Sequence, residues 1–543
     1  MENFTVVIFI MTILIALSAV ADRGKLPYTI LLVMAGLVIG FIPSLPDLAM
    51  DPEVVFLIFL PPLLYDAASK TSWHEFSALI RPISALAISL VLFTTMAVAV
   101  SAHYLIPGFS WPLSFVLGAI VSPPDAVAAT SIIKGLGLNK KVITILEGES
   151  LLNDASALIA YRFAIAAVST GVFVFWQAGL QFLLVTGAGI LTGIVIGYLF
   201  VFAHKKIKNN AIVETSLTLL CPFVVYLLAE HFHVSGILAV VSAGLIISWR
   251  APEIFTHQVR IRTRMVWDTL IYLLNGFIFI LIGLQLPSII KNIGDYPLLS
   301  LLTDGLLISL ATIVVRIFWV FAGAYWQSFF RYRKNKNAPG DEGNSPDTWK
   351  NVLIVAWTGT RGIISLATAL ALPLKLADGN AFPKRHSIIF LAFVVIFITL
   401  VVQGLSLPLL IRILRVKPQN SEDDEEKELK LYLANSTLHF IDHELPIQLE
   451  RKSKDLLKKE YELQVSALTK EIRENKRRKR NNNAATDAPV TPLMNAKTEI
   501  SKFQHELLIT LHKEGTFSDA VLKKAGFERD IDNLKLDMRM QQE

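Results

Sequence analysis

Hydrophobic positions over the first 415 or so residues come in blocks rather than in alternation. Each block supplies close to the ~20 apolar residues that a helix needs to cross a hydrocarbon layer about 30 Å thick. Short polar connections separate them. The blocks fall at approximately 5–21, 27–42, 52–68, 83–106, 112–133, 143–168, 178–203, 212–231, 234–249, 266–288, 302–328, 350–373 and 387–414, which predicts about thirteen spans. Such runs read as membrane-spanning helices. The expected fold class is an all-α polytopic membrane protein. Near Ser421 the pattern changes: SEDDEEKELKLYL opens with a helix-capping serine and an acidic first turn, and charged helical patterning runs to about Arg480. Lys476–Arg480 (KRRKR) and residues 481–492 read as a solvated linker, with an anionic-lipid site as the weaker alternative. Residues 493–514 and 518–540 read as two amphipathic helices, the first stopped by Gly515. The chain thus divides into a transmembrane domain, 1–415, and a charged, mostly helical cytoplasmic tail with a regulatory or assembly role, 416–543.

The 543 residues are 53% hydrophobic and carry a net charge of +6; the mean hydropathy is +0.52. In a soluble chain that basic excess would suggest a nucleic-acid partner. Here the cations follow the connections instead, and no nucleic acid is expected. Connections after odd-numbered spans hold Arg23 and Lys25; Lys70 and Arg81; Lys134, Lys140 and Lys141; Lys205, Lys206 and Lys208; Arg250, Arg260, Arg262 and Arg264; and Arg331, Arg333, Lys334 and Lys336. Those after even-numbered spans hold only Lys291, Lys375, Lys384 and Arg385. Cytoplasmic loops carry the excess of Lys and Arg. The expected topology is an N-terminus outside and a C-terminus inside the cell (inner or plasma) membrane. Ala19-Val20-Ala21 resembles a signal-peptidase site, but Met1-Glu2-Asn3-Phe4 lacks a positive charge, so the first span is read as retained. Cys221 is the only cysteine, which excludes an internal disulfide.

Ionisable groups inside such blocks are expensive and mark function. The densest set lies in LEGESLLNDASALIAYR, Leu146 to Arg162, in the sixth span. On a helix, Ser150 and Asp154 stand one turn apart and Asn153 adjoins them, so three oxygen-bearing side chains share one side. A carboxylate held partly away from water can bind a cation or a proton, and that competition is enough for an antiporter. Ser150 adds a neutral oxygen of the kind hard cations prefer, making Asp154 and Ser150 the expected cation ligands. Asn153 can donate to a carbonyl or orient Asp154 without adding charge. Two spans are broken in the middle. In FVLGAIVSPPDAVAATSII, Pro123 and Pro124 remove two amide donors and disfavour helix at Ser122. In VLIVAWTGTRGIISLATAL, Gly359 and Gly362 bracket Arg361 and weaken the helix. Unwound backbone at membrane depth is tolerated only where it is buried in protein or lines a cavity, so both breaks point at one. The broken spans run in opposite directions, as an inverted-repeat transporter requires. Asp125 serves the helix ends at the break or acts as a ligand; Asp66, in FLPPLLYDAAS, lines the cytoplasmic approach or bonds to span six. An arginine at mid-membrane needs an anion, and Glu149 is the expected structural partner of Arg361. Glu214, Glu230, Asp268 and Arg316 lie in no motif and read as interhelical polar contacts. With no Walker loop, metal-ligand cluster or nucleophile elbow in the sequence, neither an enzyme nor a cofactor is expected.

FLPPLLYDAA, SPPDAVAA, GESLLNDA and GTRG, in that order, closely resemble the sodium/proton exchangers of the monovalent cation:proton antiporter-1 family over residues 1 to about 415, bacterial members with long soluble tails most of all. The resemblance implies a homodimer of thirteen-helix protomers, each with a dimerisation domain and a six-helix core in which two interrupted helices cross. It implies an ion held by Asp154 and Ser150 with span-five backbone, Asn153 stabilising the site, and Glu149 paired with Arg361. Through the Asn153-Asp154 pair it implies electroneutral Na⁺ (or Li⁺) for H⁺ exchange serving pH and sodium homeostasis, with K⁺ as the alternative cation. One departure stands out. Many relatives have Asp-Pro at the span-five break, whereas this chain has Pro124-Asp125-Ala126, which leaves the carbonyl ligands there open. A cation channel is a remoter reading, since it needs a continuous pore with several weak sites.

Overall fold

The computed structural model describes residues 8–17, 28–42, 52–125, 140–170, 175–207, 210–291, 293, 297–334, 348–376, 379–414, 421–445, 451–475 and 491–540. Residues 126–139, with the second half of the fifth predicted span, lie outside the described residues; so do Ala19-Val20-Ala21, Arg23, Lys25, Lys208, Lys336 and the Lys476–Arg480 run. Among the described residues helix is the only regular structure, apart from an isolated pairing of Lys375 with Ala381.

In chain order the helices are α1 (Ile8–Leu17), α2 (Tyr28–Gly40), α3 (Pro52–Lys70), α4 (Trp73–Ala78), α5 (Ile80–Leu105), α6 (Trp111–Val121), α7 (Lys140–Thr170), α8 (Phe175–Lys206), α9 (Ala211–His231), α10 (Gly236–Ile254), α11 (His257–Lys291), α12 (Leu298–Lys334), α13 (Thr348–Trp357), α14 (Ile363–Leu370) and α15 (Arg385–Leu414). After these come α16 (Ser421–His443), α17 (Arg451–Asn475), α18 (Thr491–Glu514) and α19 (Asp519–Met540). Among the described residues, eight helices are long and apolar enough to cross a membrane on their own: α5, α7 to α12 and α15. The chain is an all-helical, multi-pass membrane protein. The interval predicted at 350–373 holds two short helices, α13 and α14, joined by unwound backbone.

Burial separates interior helices from peripheral ones. The most apolar window of α15 is 72% buried, against 28% for α8. A helix apolar on every side belongs inside, and α15 is the central post. α8 turns Leu183, Leu184, Leu191 and Leu199 outward, where lipid replaces protein as the apolar solvent. Between helices with no hydrophobic gain over lipid, close packing depends on small residues. α2 and α11 meet at Gly36 and Gly283, and a methyl group on either would overlap backbone of the other helix.

The last helices fold back against the membrane domain. α16, α18 and α19 share a seam that includes Leu429, Leu433, Leu508, Leu511 and Leu522. Lys523 donates to the carbonyls of Ser69 (3.2 Å) and Lys70 (3.3 Å) at the end of α3, where the helix dipole favours a cation. Lys513 pairs with Glu253 at 2.9 Å near the end of α10, and the Arg264 guanidinium lies 4.5 Å from the Phe527 ring centre. These contacts put two of the odd-numbered connections, those after the third and ninth spans, on one face with the tail.

Candidate functional site

α6 stops at Val121, ahead of two prolines that cannot donate amides. Ser122 is buried and turns its hydroxyl back onto the Ala119 carbonyl at 3.2 Å. From there to Asp125 the backbone is unwound, as it is between Thr358 and Gly362. The two unwound strips cross and bond to each other. The Asp125 amide donates to the Thr360 carbonyl at 2.6 Å, and the Thr360 hydroxyl donates to the Asp125 carbonyl at 2.8 Å.

A helix broken at membrane depth leaves carbonyls that must find donors inside the protein, and side chains from other helices supply them. Arg361 Nε reaches the Val121 carbonyl at 2.9 Å, its Nη1 bonds the Gly359 carbonyl, and its amide donates to Thr399 Oγ1 at 3.1 Å. Asn153 Nδ2 donates to the Pro124 carbonyl at 2.7 Å. Arg316 Nη2 reaches the Val355 carbonyl at 3.2 Å, which also accepts from the Thr358 hydroxyl at 3.0 Å. A guanidinium therefore sits at the carbonyl, partially negative end of each half-helix, α6 and α13. At the amide end of α14 the sign reverses: a methyl group on Gly362 would overlap the Asp125 carboxylate, so that anion lies against the helix N-terminus.

The expected pairing of Glu149 with Arg361 is corrected here. Glu149 is held in a two-pronged ion pair by Arg316 of α12, Nη1 to Oε1 at 2.6 Å and Nη2 to Oε2 at 2.9 Å, with both side chains almost fully buried. Arg361 spends its donors on Val121 and Gly359 and acts on Glu149 only at longer range. The physical reason is the break itself. The carbonyls freed at the end of α6 need the nearest guanidinium, which leaves the carboxylate to the arginine of the neighbouring helix.

Asp154 is 6% exposed, and among the described residues no side chain donates a hydrogen bond to its carboxylate. Its electrostatic neighbour is a second carboxylate, Asp125. Ser150 lies one helical turn earlier on the same side of α7. Asp125, Asn153, Asp154, Thr360 and Gly362 thus come together around the crossing. Asp66 is placed elsewhere: it accepts from Lys70 on its own helix at 2.9 Å, and Lys70 also donates to Asp268 of α11 at 3.0 Å. Arg162 is engaged by Glu230 at 2.8 and 2.9 Å, not by Asp154. A cavity of about 560 Å³ borders α7 at Leu152, Ala155, Ser156 and Ile159 and is walled by α4, α5, α8 and α10. Helical periodicity puts these residues on the side of α7 opposite Asp154 and Ser150, so the cavity is not the surround of the carboxylate.

Thr360 and Thr399 stand at the candidate site without having been singled out from the sequence, and Arg316, read there as an interhelical polar contact, makes one with Glu149 beside the site. For Arg316 one signal was present: a lone arginine inside a span requires an anion. Thr399 opens a widened, π-helical turn of α15, Thr399–Gln403, and such turns recur at functional sites.

The family model described as sodium/hydrogen exchanger, transmembrane, matches residues 8–413. The sodium, potassium, lithium and rubidium/H⁺ antiporter of Bacillus pumilus is 34% identical over 421 residues, which cover 76% of this chain and 61% of that one. The uncharacterized Na⁺/H⁺ exchanger YjcE of Escherichia coli is 35% identical over 441 residues, covering 77% of this chain and 78% of its own. The uncharacterized Na⁺/H⁺ exchanger Rv2287 of Mycobacterium tuberculosis is 29% identical over 549 residues, covering 98% and 96%. Among solved structures, the sodium proton antiporter MjNhaP1 from Methanocaldococcus jannaschii has a TM-score of 0.60 at 20% identity, covering 77% of this chain and 100% of that one.

Proposed function

Since this chain belongs to the sodium/hydrogen exchanger family, we infer that it is a secondary-active antiporter that exchanges Na⁺ for H⁺ across the cell membrane. The observation that carries the reading is the buried Asp154 carboxylate, which faces another carboxylate at the crossing of two broken helices and takes no hydrogen bond from any described side chain. Such a group is stable with a proton or a cation on it, and not with neither. One site that holds either, but not both, couples the two fluxes.

In this mechanism Asp154 exchanges its proton for Na⁺, and Ser150 supplies a neutral oxygen. Asn153 fixes the Pro124 carbonyl, and with it the unwound strip, beside the carboxylate. Asp125 sets the local negative potential and is a second-rank ligand. The pair of Glu149 with Arg316 is structural, and Arg361 holds the end of α6. Because Asn153 contributes no charge, each turnover moves one cation against one proton and is electroneutral. The protein works as a homodimer with its N-terminus outside and its tail in the cytoplasm, and the core rocks against the dimer domain to alternate access. The names of the Bacillus pumilus and Bacillus subtilis relatives, which include potassium, lithium and rubidium, favour a second reading in which K⁺ is also carried.

The test is an acid-loaded proteoliposome carrying the purified full-length protein and a fluorescent pH probe. External NaCl is expected to dissipate the gradient, with KCl and LiCl added in turn to rank the cations and a permeant ion to detect net charge movement. No dissipation by any alkali cation would overturn the antiporter reading. Dissipation by KCl alone would replace Na⁺ with K⁺.

A further inference from the structure

The sequence holds no recognisable metal-ligand run, yet folding brings three ligating side chains together from distant parts of the chain. His74 lies on α4, beside the end of α3. His512 lies in the last turn of α18, and Asp519 opens α19. One ligand atom from each falls within 4.8 Å of the other two. His512 Nδ1 is 3.1 Å and His74 Nδ1 is 3.7 Å from the same carboxylate oxygen, Asp519 Oδ1. The second distance is too long for a hydrogen bond. Both bracket the ~3.3 Å edge of a tetrahedron whose centre lies 2.0–2.1 Å from each ligand, the spacing of zinc sites.

The surroundings are those of a built site. Asp519 is 2% exposed, and its other oxygen is fixed by the Ser72 hydroxyl at 2.7 Å, which leaves Oδ1 aimed at the histidines. His74 Nδ1 and His512 Nε2 are buried with no hydrogen-bond partner. The Trp249 ring packs against both imidazoles, centroids 4.8 Å from His74 and 4.6 Å from His512, as an apolar wall. Gly515 takes φ +67° to end α18, and its bare Cα faces the His74 ring where a Cβ would come within 3.2 Å. The left-handed glycine is what lets the α18–α19 turn wrap the imidazole.

We propose that His74, His512 and Asp519 form a site for a divalent transition ion of the zinc class, which staples the α18–α19 turn of the tail to the membrane domain at the end of α3. A fourth position is left for water or an exchangeable ligand. The bound ion would hold down the same helix that places Lys523 on the last carbonyls of α3, the helix that also bears Asp66 and Lys70. Free metal in the compartment of the tail then sets how firmly the tail is docked.

The experiment uses full-length protein in detergent, with any purification tag removed, stripped with a chelator and dialysed against limiting Zn²⁺. Metal per chain is counted by mass spectrometry, and Co²⁺ is loaded in parallel for its visible spectrum. The expected result is one zinc per wild-type chain and at least a tenfold loss of retained metal in His74→Ala and in His512→Ala. His512→Cys guards against a folding artefact: it is expected to keep its zinc and to give Co²⁺ a thiolate charge-transfer band that the wild type lacks. Three results would overturn the site: zinc in the wild type no higher than in the double alanine variant, zinc retained undiminished by His74→Ala, or no thiolate band in His512→Cys. The readout is metal content, so failure here leaves the antiport reading untouched.

Discussion

Replacing Arg316 by Met tests which arginine Glu149 depends on. The pair is two-pronged, at 2.6 and 2.9 Å, with side-chain exposures of 1% and 2%, so neither charge has water to fall back on. Two unit charges about 4 Å apart attract by about 4 kcal/mol at an effective dielectric of 20. Removing one partner of a buried pair typically costs about 3–5 kcal/mol because the survivor is stranded. Arg316→Met is therefore expected to lower stability by about 3–5 kcal/mol, a drop of roughly a hundredfold to a few thousandfold in the folded-to-unfolded ratio. Glu149→Gln should cost at least as much, since it leaves the guanidiniums of Arg316 and Arg361 repelling each other without an anion between them. The double variant should be milder than the sum. We expect a coupling energy of about 2–3 kcal/mol for Glu149 with Arg316, at the upper end for groups in contact, and below about 1 kcal/mol for Glu149 with Arg361. The assay is a double-mutant cycle for each pair, read from reversible unfolding in mixed micelles. If Glu149 couples to Arg361 as strongly as to Arg316, the reasoning that assigns Arg361 to the end of α6 is refuted.

Three further outcomes follow from the geometry. Asn153→Ala strips the Pro124 carbonyl of its donor and should destabilise by about 1–3 kcal/mol while weakening cation affinity; thermal unfolding and the half-saturating Na⁺ concentration check it, and an unchanged affinity would detach Asn153 from the site. Gly362→Ala puts a methyl group where the Asp125 carboxylate lies, so exchange should fall at least tenfold in protein that still folds; wild-type turnover would mean the crossing yields without consequence. In the tail, burial opposes the charge on Glu426, but hydrogen bonds from Lys430 and Lys524 outweigh it and hold its carboxyl below the usual glutamate value of 4.5. A depressed carboxylate contributes stability that is full above the unfolded value and is lost as pH falls through the folded one. Spin labels on α16 and α19 should report a fixed separation at neutral pH that broadens in acid below about pH 4.5. Glu426→Gln should lose that acid step, and an identical step in the variant would show that another group controls it.

Much of the membrane fold was legible because hydrocarbon imposes a length. An apolar run of ~20 residues has few alternatives to a spanning helix, and helices lie in the intervals where such runs occur. The breaks were legible too, since Pro123-Pro124 and Gly359-Thr360-Arg361-Gly362 lack what a helix interior needs. Partner choice was not. Glu149 is paired by Arg316, a residue in no motif on a helix far along the chain, because the freed carbonyls at Val121 and Gly359 claim Arg361 first. That competition depends on where backbone becomes bare, which a residue pattern does not encode. Asp66 was similarly open: its partner Lys70 was only four residues away, but the link onward to Asp268 needed the packing of α3 beside α11. The tail showed its helices through charge pattern and the stop at Gly515, but not its dock. Contacts such as Lys523 on the Ser69 and Lys70 carbonyls rest on surface fit, which has no period to read.

The central claim is that one carboxylate, Asp154, carries either the cation or the proton. It is tested most directly by comparing wild type with Asp154→Asn in proteoliposomes under an imposed pH gradient, with Asp125→Asn beside them. The account predicts that NaCl collapses the gradient with the wild type, fails to do so with Asp154→Asn, and acts with lowered affinity in Asp125→Asn. Exchange that persists in Asp154→Asn would contradict it.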